Sequence, residues 1–151
     1  MKRISAAFVL AVLAAAPISA SEKADAMAIV NQFTESFNKG DEKGAVAACA
    51  DQTSIIDEFA PHEWHGSGAC AKWMADFDAD AKKNGITDGH VTLSKPWHID
   101  VTTDRAYIVV PVNYTFKQNG KATKEIGSIL TVALQKEQAG WRITGWAWSK
   151  H

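Results

Sequence analysis

Between Ser54 and Gly66 the chain reads SIIDEFAPHEWHG, which sets the adjacent carboxylates Asp57 and Glu58 and the imidazoles His62 and His65 within nine residues. A carboxylate beside an imidazole is an acid-base pair for enolisation or dehydration near neutral pH. The residues Thr53 to Phe59 read as a strand, and strand alternation sends Asp57 and Glu58 to opposite faces, so they do not form a paired-carboxylate site. In the acid-base reading Asp57 faces an apolar interior whose Trp and Phe walls raise its pKa, with His62 or His65 as proton partner. A metal reading needs Asp57, His62 and His65 to converge. However, His62-x-x-His65 lacks the helical i, i+4 spacing of zinc proteases and Pro61 makes the segment a loop, so no metal site is assigned. The plainest reading makes Asp57 a satisfied buried polar group, with Asn113, Thr115, Ser128 and His98 as available strand partners and the histidines on a hairpin.

The elements that must position these residues are of two kinds. Ser21 to Asn38 predicts a helix, because Ala26, Ile29, Val30, Phe33 and Phe37 recur at three- and four-residue steps. Gly40 is placed as its stop, and Asp41 caps a short helix over Glu42 to Ala50. A third helix follows Gly66-Ser67-Gly68 and runs to about Asn84, with Ala69, Trp73 and Phe77 on its buried side. From His90 the period becomes two: His90 to Val101, Arg105 to Lys117, Lys124 to Lys136 and Trp141 to Lys150 read as strands. Turns at Asn119-Gly120 and Ala139-Gly140 join them into an antiparallel meander. Three helices followed by a curled antiparallel sheet is an α+β arrangement. Asn113-Tyr114-Thr115 matches a glycosylation acceptor but lies within a strand, where the match is taken as chance.

Lys2 and Arg3, the apolar run Ala6 to Ala16 and the small residues to Ala20 have the layout of a secretory signal peptide over residues 1–20, so residues 21–151 are expected to form one exported domain, periplasmic or secreted. The run is short of the roughly 20 residues of a membrane span, so no membrane is expected for the mature form. Without the leader, fourteen basic residues face seventeen acidic ones. The basic residues are scattered, which excludes a nucleic-acid footprint. Cys49 and Cys70 are the only cysteines. They pair in an oxidising compartment if their Cα atoms come within about 7 Å, and are otherwise two small buried thiols.

The segment IVNQFTESFNKGDEKGAVAACADQTSIIDE (Ile29 to Glu58), the Trp64-His65-Gly66 before the third helix and the closing AGWRITGWAW strand together resemble the NTF2-like superfamily, which includes ketosteroid isomerases, SnoaL-like cyclases and scytalone dehydratase. The resemblance implies a cystatin-like cone, a curved sheet wrapped around helices with an apolar pocket inside. It places Asp57 where ketosteroid isomerases hold their general base. It also places Phe33 where those enzymes have a tyrosine, and Gly127 or Ser128 where they have a second aspartate, so their oxyanion donors are missing and steroid isomerisation by their route is not expected. The aromatic residues Phe33, Phe37, Trp73, Phe77, Trp97, Trp146 and Trp148, with Asn113, are then the pocket candidates; the same rings also describe a packed core. Trp146 and Trp148 share one strand face, and family pockets take a wall from that strand. The expected function is binding of a small apolar or aromatic molecule without a cofactor. An acid-base isomerase or lyase using Asp57 is the alternative, and a homodimeric interaction module formed through the sheet is the third.

Overall fold

The computed structural model describes residues 20–151. The signal peptide expected over residues 1–20 lies, Ala20 apart, outside the described residues. Helix α1 spans Ala20–Lys39 and buries Ala26, Val30 and Phe33 along one stripe. It stops at Gly40, whose φ of 67° is left-handed. Asp41 then caps α2 (Glu42–Ala48), its Oδ1 accepting from the Gly44 N–H at 3.0 Å. Strand β1 begins at Cys49 and ends at Ile56. It therefore starts and stops earlier than the expected Thr53 to Phe59; Cys49 and, past a register shift, Ser54 to Ile56 find backbone partners on β7 (Gly140–Ser149), which overrides local helix preference at its start.

A short strand missing from the sequence reading, β2 (Glu63–Ser67), folds back on β1, after which α3 runs from Ala69 to Lys83. The remaining strands are β3 (Ile86–Leu93), β4 (His98–Val101), β5 (Arg105–Gln118) and β6 (Lys121–Glu137). The strand expected over His90 to Val101 is two strands, since Pro96 cannot donate to the ladder; both pieces pair with β5 on either side of the gap. The sheet order is β2-β1-β7-β6-β5-β3, with β4 also on β5. The expected purely antiparallel sheet is in fact mixed, because β1 runs parallel to β7. Asn119 and Gly120, both at positive φ, make the two-residue turn between β5 and β6.

Register shifts curl the sheet around α1 and α3. One falls between Val112 and Asn113 of β5, opposite Gly127 of β6, and another between Ala133 and Leu134 of β6, opposite Thr144. The enclosed core joins Ile108, Val110 and Val112 to Val132, Leu134 and Ile143, with Ala26, Val30 and Trp73 from the helices. Among the described residues no helix is long and apolar enough to cross a membrane.

Two side-chain devices fasten the helices to the sheet. The structure joins Cys49 and Cys70 in a disulfide with Cα atoms 6.5 Å apart, tying the first residue of β1 to the first turn of α3. At the end of α1, Asn38 pairs with Val91 of β3 as another strand would: its Nδ2 donates to the Val91 carbonyl at 2.8 Å and its Oδ1 accepts from the Val91 N–H at 2.7 Å. Asn38→Ala leaves both half-buried backbone groups unpaired. It is expected to lower unfolding free energy by about 1–3 kcal/mol in urea titration.

Candidate functional site

A cavity of about 350 Å3 opens between the helices and the concave face of the sheet. Phe33 and Phe37 of α1 and Trp73 and Phe77 of α3 form one side; Tyr114, Leu130, Trp146 and Trp148 of the sheet form the other. The rings are in mutual contact: Trp73 stacks on Phe77 with centroids 5.5 Å apart, and Trp146 meets Trp73 edge-on at 4.7 Å. An apolar enclosure of this kind with few polar groups is the common form of a small-molecule site.

Asp57 is the first residue beyond β1, and its N–H still bonds the His62 carbonyl at 3.0 Å to close the hairpin. Both its carboxylate oxygens are held. Oδ1 accepts from the Glu58 N–H at 2.6 Å, and Oδ2 accepts from the Trp73 indole N–H at 2.9 Å. Burial raises the Asp57 pKa to about 6, against the two hydrogen bonds, which favour the anion; the neighbouring Glu58 and Glu125 charges push it further up. The result is a carboxyl that titrates near neutrality in the wall of an apolar cavity.

Glu58 lines the same cavity, contrary to the expectation that it would face away from Asp57. The strand has ended at Ile56, so alternation no longer applies. A third carboxylate, Glu125 of β6, joins them, and Lys150 bridges the two glutamates at 2.6 Å to Glu58 and 3.2 Å to Glu125. Burial, reinforced by Glu125, holds Glu58 above its ordinary range. Burial also pushes Glu125 upward, but hydrogen bonds from Ser128 and Trp148 outweigh it and keep that carboxyl low. Lys150, hydrogen-bonded to Glu58, is raised and stays charged. Tyr114, pushed up to about 12 by burial and then by the two glutamates, keeps its hydroxyl proton at neutral pH.

Several residues expected at the site stand elsewhere. His62 has a left-handed backbone at φ 74°, is exposed, and its Nδ1 lies 3.2 Å from the Asp57 backbone carbonyl rather than its carboxylate. His65 is on the outer side of β2, because Trp64 takes the buried one, and its Nδ1 faces Glu63 at 3.3 Å. Neither imidazole meets the Asp57 carboxylate, so the Asp-His pair and the folded-back metal set are not assembled. Trp97 sits in the gap between β3 and β4, 69% exposed, away from the cavity. Asn113 lies at the β5 register shift, and its Oδ1 accepts from the Gly127 N–H at 3.0 Å; it shapes the sheet and does not line the cavity.

Glu125 and Lys150 were not singled out from the sequence. The signal for Glu125 was Gly127 inside a strand, since an extra residue at a bulge turns positions 125 and 128 to the same face. Gly127 does take a φ of 82°, and Glu125 and Ser128 are both buried.

A family model for the SnoaL-like domain matches residues 26–150, and the chain belongs to that family. Among solved structures it is similar to a ketosteroid isomerase-like protein from Erwinia carotovora atroseptica SCRI1043, with a TM-score of 0.69 and 18% identity over 87% of this chain and 98% of that one. An NTF2-like superfamily protein from Salmonella enterica serovar Typhimurium LT2 gives a TM-score of 0.72 and 18% identity, covering 86% of this chain and 91% of that one. An NTF2-like protein with a cystatin-like fold from Novosphingobium aromaticivorans gives 0.69 and 14%, covering 86% and 82%. At these identities the likeness is one of fold. No curated protein matches the sequence.

Proposed function

We propose that the protein binds a small, largely apolar ring molecule in the cavity and that Asp57 removes a proton from it, in a reaction of the isomerase or lyase type. One observation carries this reading: a carboxyl with its pKa raised to about 6 stands in the wall of a cavity of about 350 Å3 lined by aromatic rings. A base is most effective when its pKa lies near the working pH, and this one is stronger than a solvated aspartate while still ionised at neutrality. The Trp73 and Glu58 N–H groups hold both oxygens in place, so the carboxylate is oriented before a ligand arrives. Membership of the SnoaL-like family, together with a structural neighbour described as ketosteroid isomerase-like, supports the same class. Export to an oxidising compartment belongs to the proposal, and the Cys49–Cys70 disulfide supports it.

The test is proton exchange in D2O, followed by NMR, on ring ketones including 1-tetralone, with wild type and Asp57→Asn side by side. The wild type is expected to exchange α-protons above the buffer rate, and Asp57→Asn to lose about 10²–10⁴-fold of that increment. Equal rates in the two proteins, with ketone bound by both, would leave a binding protein whose carboxylate is incidental.

A further inference from the structure

The cavity is uneven in charge as well as rich in rings. Four carboxyl side chains line it, Asp57, Glu58, Asp80 and Glu125, against a single basic one, Lys150. Lys150 is already engaged, held between Glu58 at 2.6 Å and Glu125 at 3.2 Å. Asp57 accepts from two neutral N–H groups, those of Glu58 and Trp73, and Asp80 accepts from the side-chain amide of Asn84 at 2.9 Å. Among the described residues neither Asp57 nor Asp80 has a basic side chain in contact. The excess of negative charge is felt across the cavity: after burial, the two glutamates raise both Asp57 and Tyr114. A carboxylate taken partly out of water is costly without a compensating positive charge. The walls around it are aromatic, and the π-systems of such rings attract a cation in their own right. Rings and carboxylates come from different residues, and both select the same sign of ligand charge.

We propose that the cavity takes an organic cation, a ring compound with positive charge on nitrogen of the N-alkylpyridinium type, whose charge the Asp57 carboxylate and the surrounding rings balance together. This rests on the reading of the cavity as the ligand site and adds the sign of the ligand's charge to it. An anionic ligand finds no free positive group there, since the one ammonium is bridged to two glutamates. A neutral hydrocarbon leaves Asp57 without a counterion. A cationic nitrogen supplies that counterion inside the aromatic walls, where screening by salt is weak. The same charge acidifies the C–H bonds of an alkyl group on the neighbouring ring carbon. When such a proton passes to the Asp57 carboxylate, the electron pair it leaves forms a carbon-carbon double bond and neutralises the nitrogen as an enamine, so no negative oxygen has to be stabilised.

The test compares three bicyclic probes of nearly one shape: 1-methylquinolinium, a cation, 1-methylnaphthalene, which is neutral, and 1-naphthoate, an anion. In equilibrium dialysis at pH 7.5 the wild type is expected to bind the cation about tenfold more tightly than the hydrocarbon and to leave the anion unbound. An uncharged apolar cavity gives the reverse order, because the hydrocarbon has the greater drive to leave water. The affinity for the cation is expected to fall about tenfold between pH 7.5 and pH 5, as Asp57 takes up its proton, while that for 1-methylnaphthalene stays level. Glu58, Glu125, Asp80 and Lys150 line the same space and the His62 ring stands at the Asp57 backbone carbonyl, so the share of Asp57 is the part that Asp57→Asn removes. That variant is expected to lose the preference for the cation and to keep its affinity for 1-methylnaphthalene. A hydrocarbon or an anion bound as tightly as the cation, or a preference untouched by pH and by Asp57→Asn, would overturn the inference and leave the cavity standing as a ligand site. If none of the three probes binds, the ligand-site reading and this inference both fall. The wild-type ranking and its pH dependence decide even if the variant does not fold.

Discussion

Asp57→Asn is expected to flatten the stability loss that the wild type shows as pH rises from about 4 to about 7. The folded carboxyl titrates at about 6 and the unfolded one near 3.8. Between these values the folded protein holds a proton that the unfolded chain has released, so unfolding free energy falls with pH. The contribution is fully present below the unfolded pKa and is lost once pH passes the folded one. Two pKa units correspond to about 3 kcal/mol, an upper figure that solvent at the cavity mouth reduces. Asparagine has no proton to lose, and its amide must turn its NH2 toward either the Glu58 N–H or the Trp73 N–H, which adds a constant penalty. The signature is therefore in the slope and not in the absolute stability. Removing the Asp57 charge also relieves its repulsion of Glu58 and Glu125, which helps the variant on the alkaline side. Urea titrations at unit steps from pH 4 to pH 8 measure both curves, and parallel curves would mean that the carboxyl is not destabilised by its site. The same destabilisation that makes Asp57 a stronger base makes the native state weaker wherever the base is ionised.

How much of this site was legible in the sequence depends on where regular geometry holds. Helix α1 and the β5–β6 turn are readable because a 3.6-residue stripe and an Asn-Gly pair each have one sound structural meaning. Asp57 was legible through its place after a β-branched run. Its true partners were not, because they depend on departures from alternation. Glu58 faces the cavity since β1 has already ended, and Glu125 is turned inward by the bulge at Gly127. Lys150 lies one residue past β7, where its direction is set only by the two glutamates it bridges. The histidines were attractive for their chemistry and proximity in sequence, but the hairpin sets the His62 ring against the Asp57 backbone carbonyl and the His65 ring toward Glu63, so neither reaches the Asp57 carboxylate. The partner that Asp57 does have, Trp73, was visible only as an apolar ring on a helix face. Its N–H reaches the carboxylate because α3 crosses over the end of β1, a tertiary relation with no local signature.

The Cys49–Cys70 disulfide ties the start of β1 to the first turn of α3, and Cys49→Ala/Cys70→Ala is the other substitution expected to have a large effect. The bridge closes a loop with a sequence separation of 21, for which chain entropy predicts about 3 kcal/mol of stabilisation. The double variant, and the wild type in reductant, are both expected to lose roughly that amount in urea titration. An unchanged midpoint after reduction would show that the helix-sheet core alone fixes this junction. The effect should also reach the site. Cys70 is in the first turn of α3 and Trp73 follows one turn later, so the bridge anchors the turn of α3 that precedes Trp73. The Trp73 hydrogen bond favours the ionised form of Asp57 and so opposes the burial that raises its pKa. Loosening α3 by reduction is therefore expected to move Asp57 further above about 6, read from its carboxyl ¹³C shift against pH. A fall in that pKa would instead mean that reduction admits solvent to the carboxyl faster than it weakens the Trp73 bond. The two directions separate a bridge that orients the base from one that merely keeps its cavity closed.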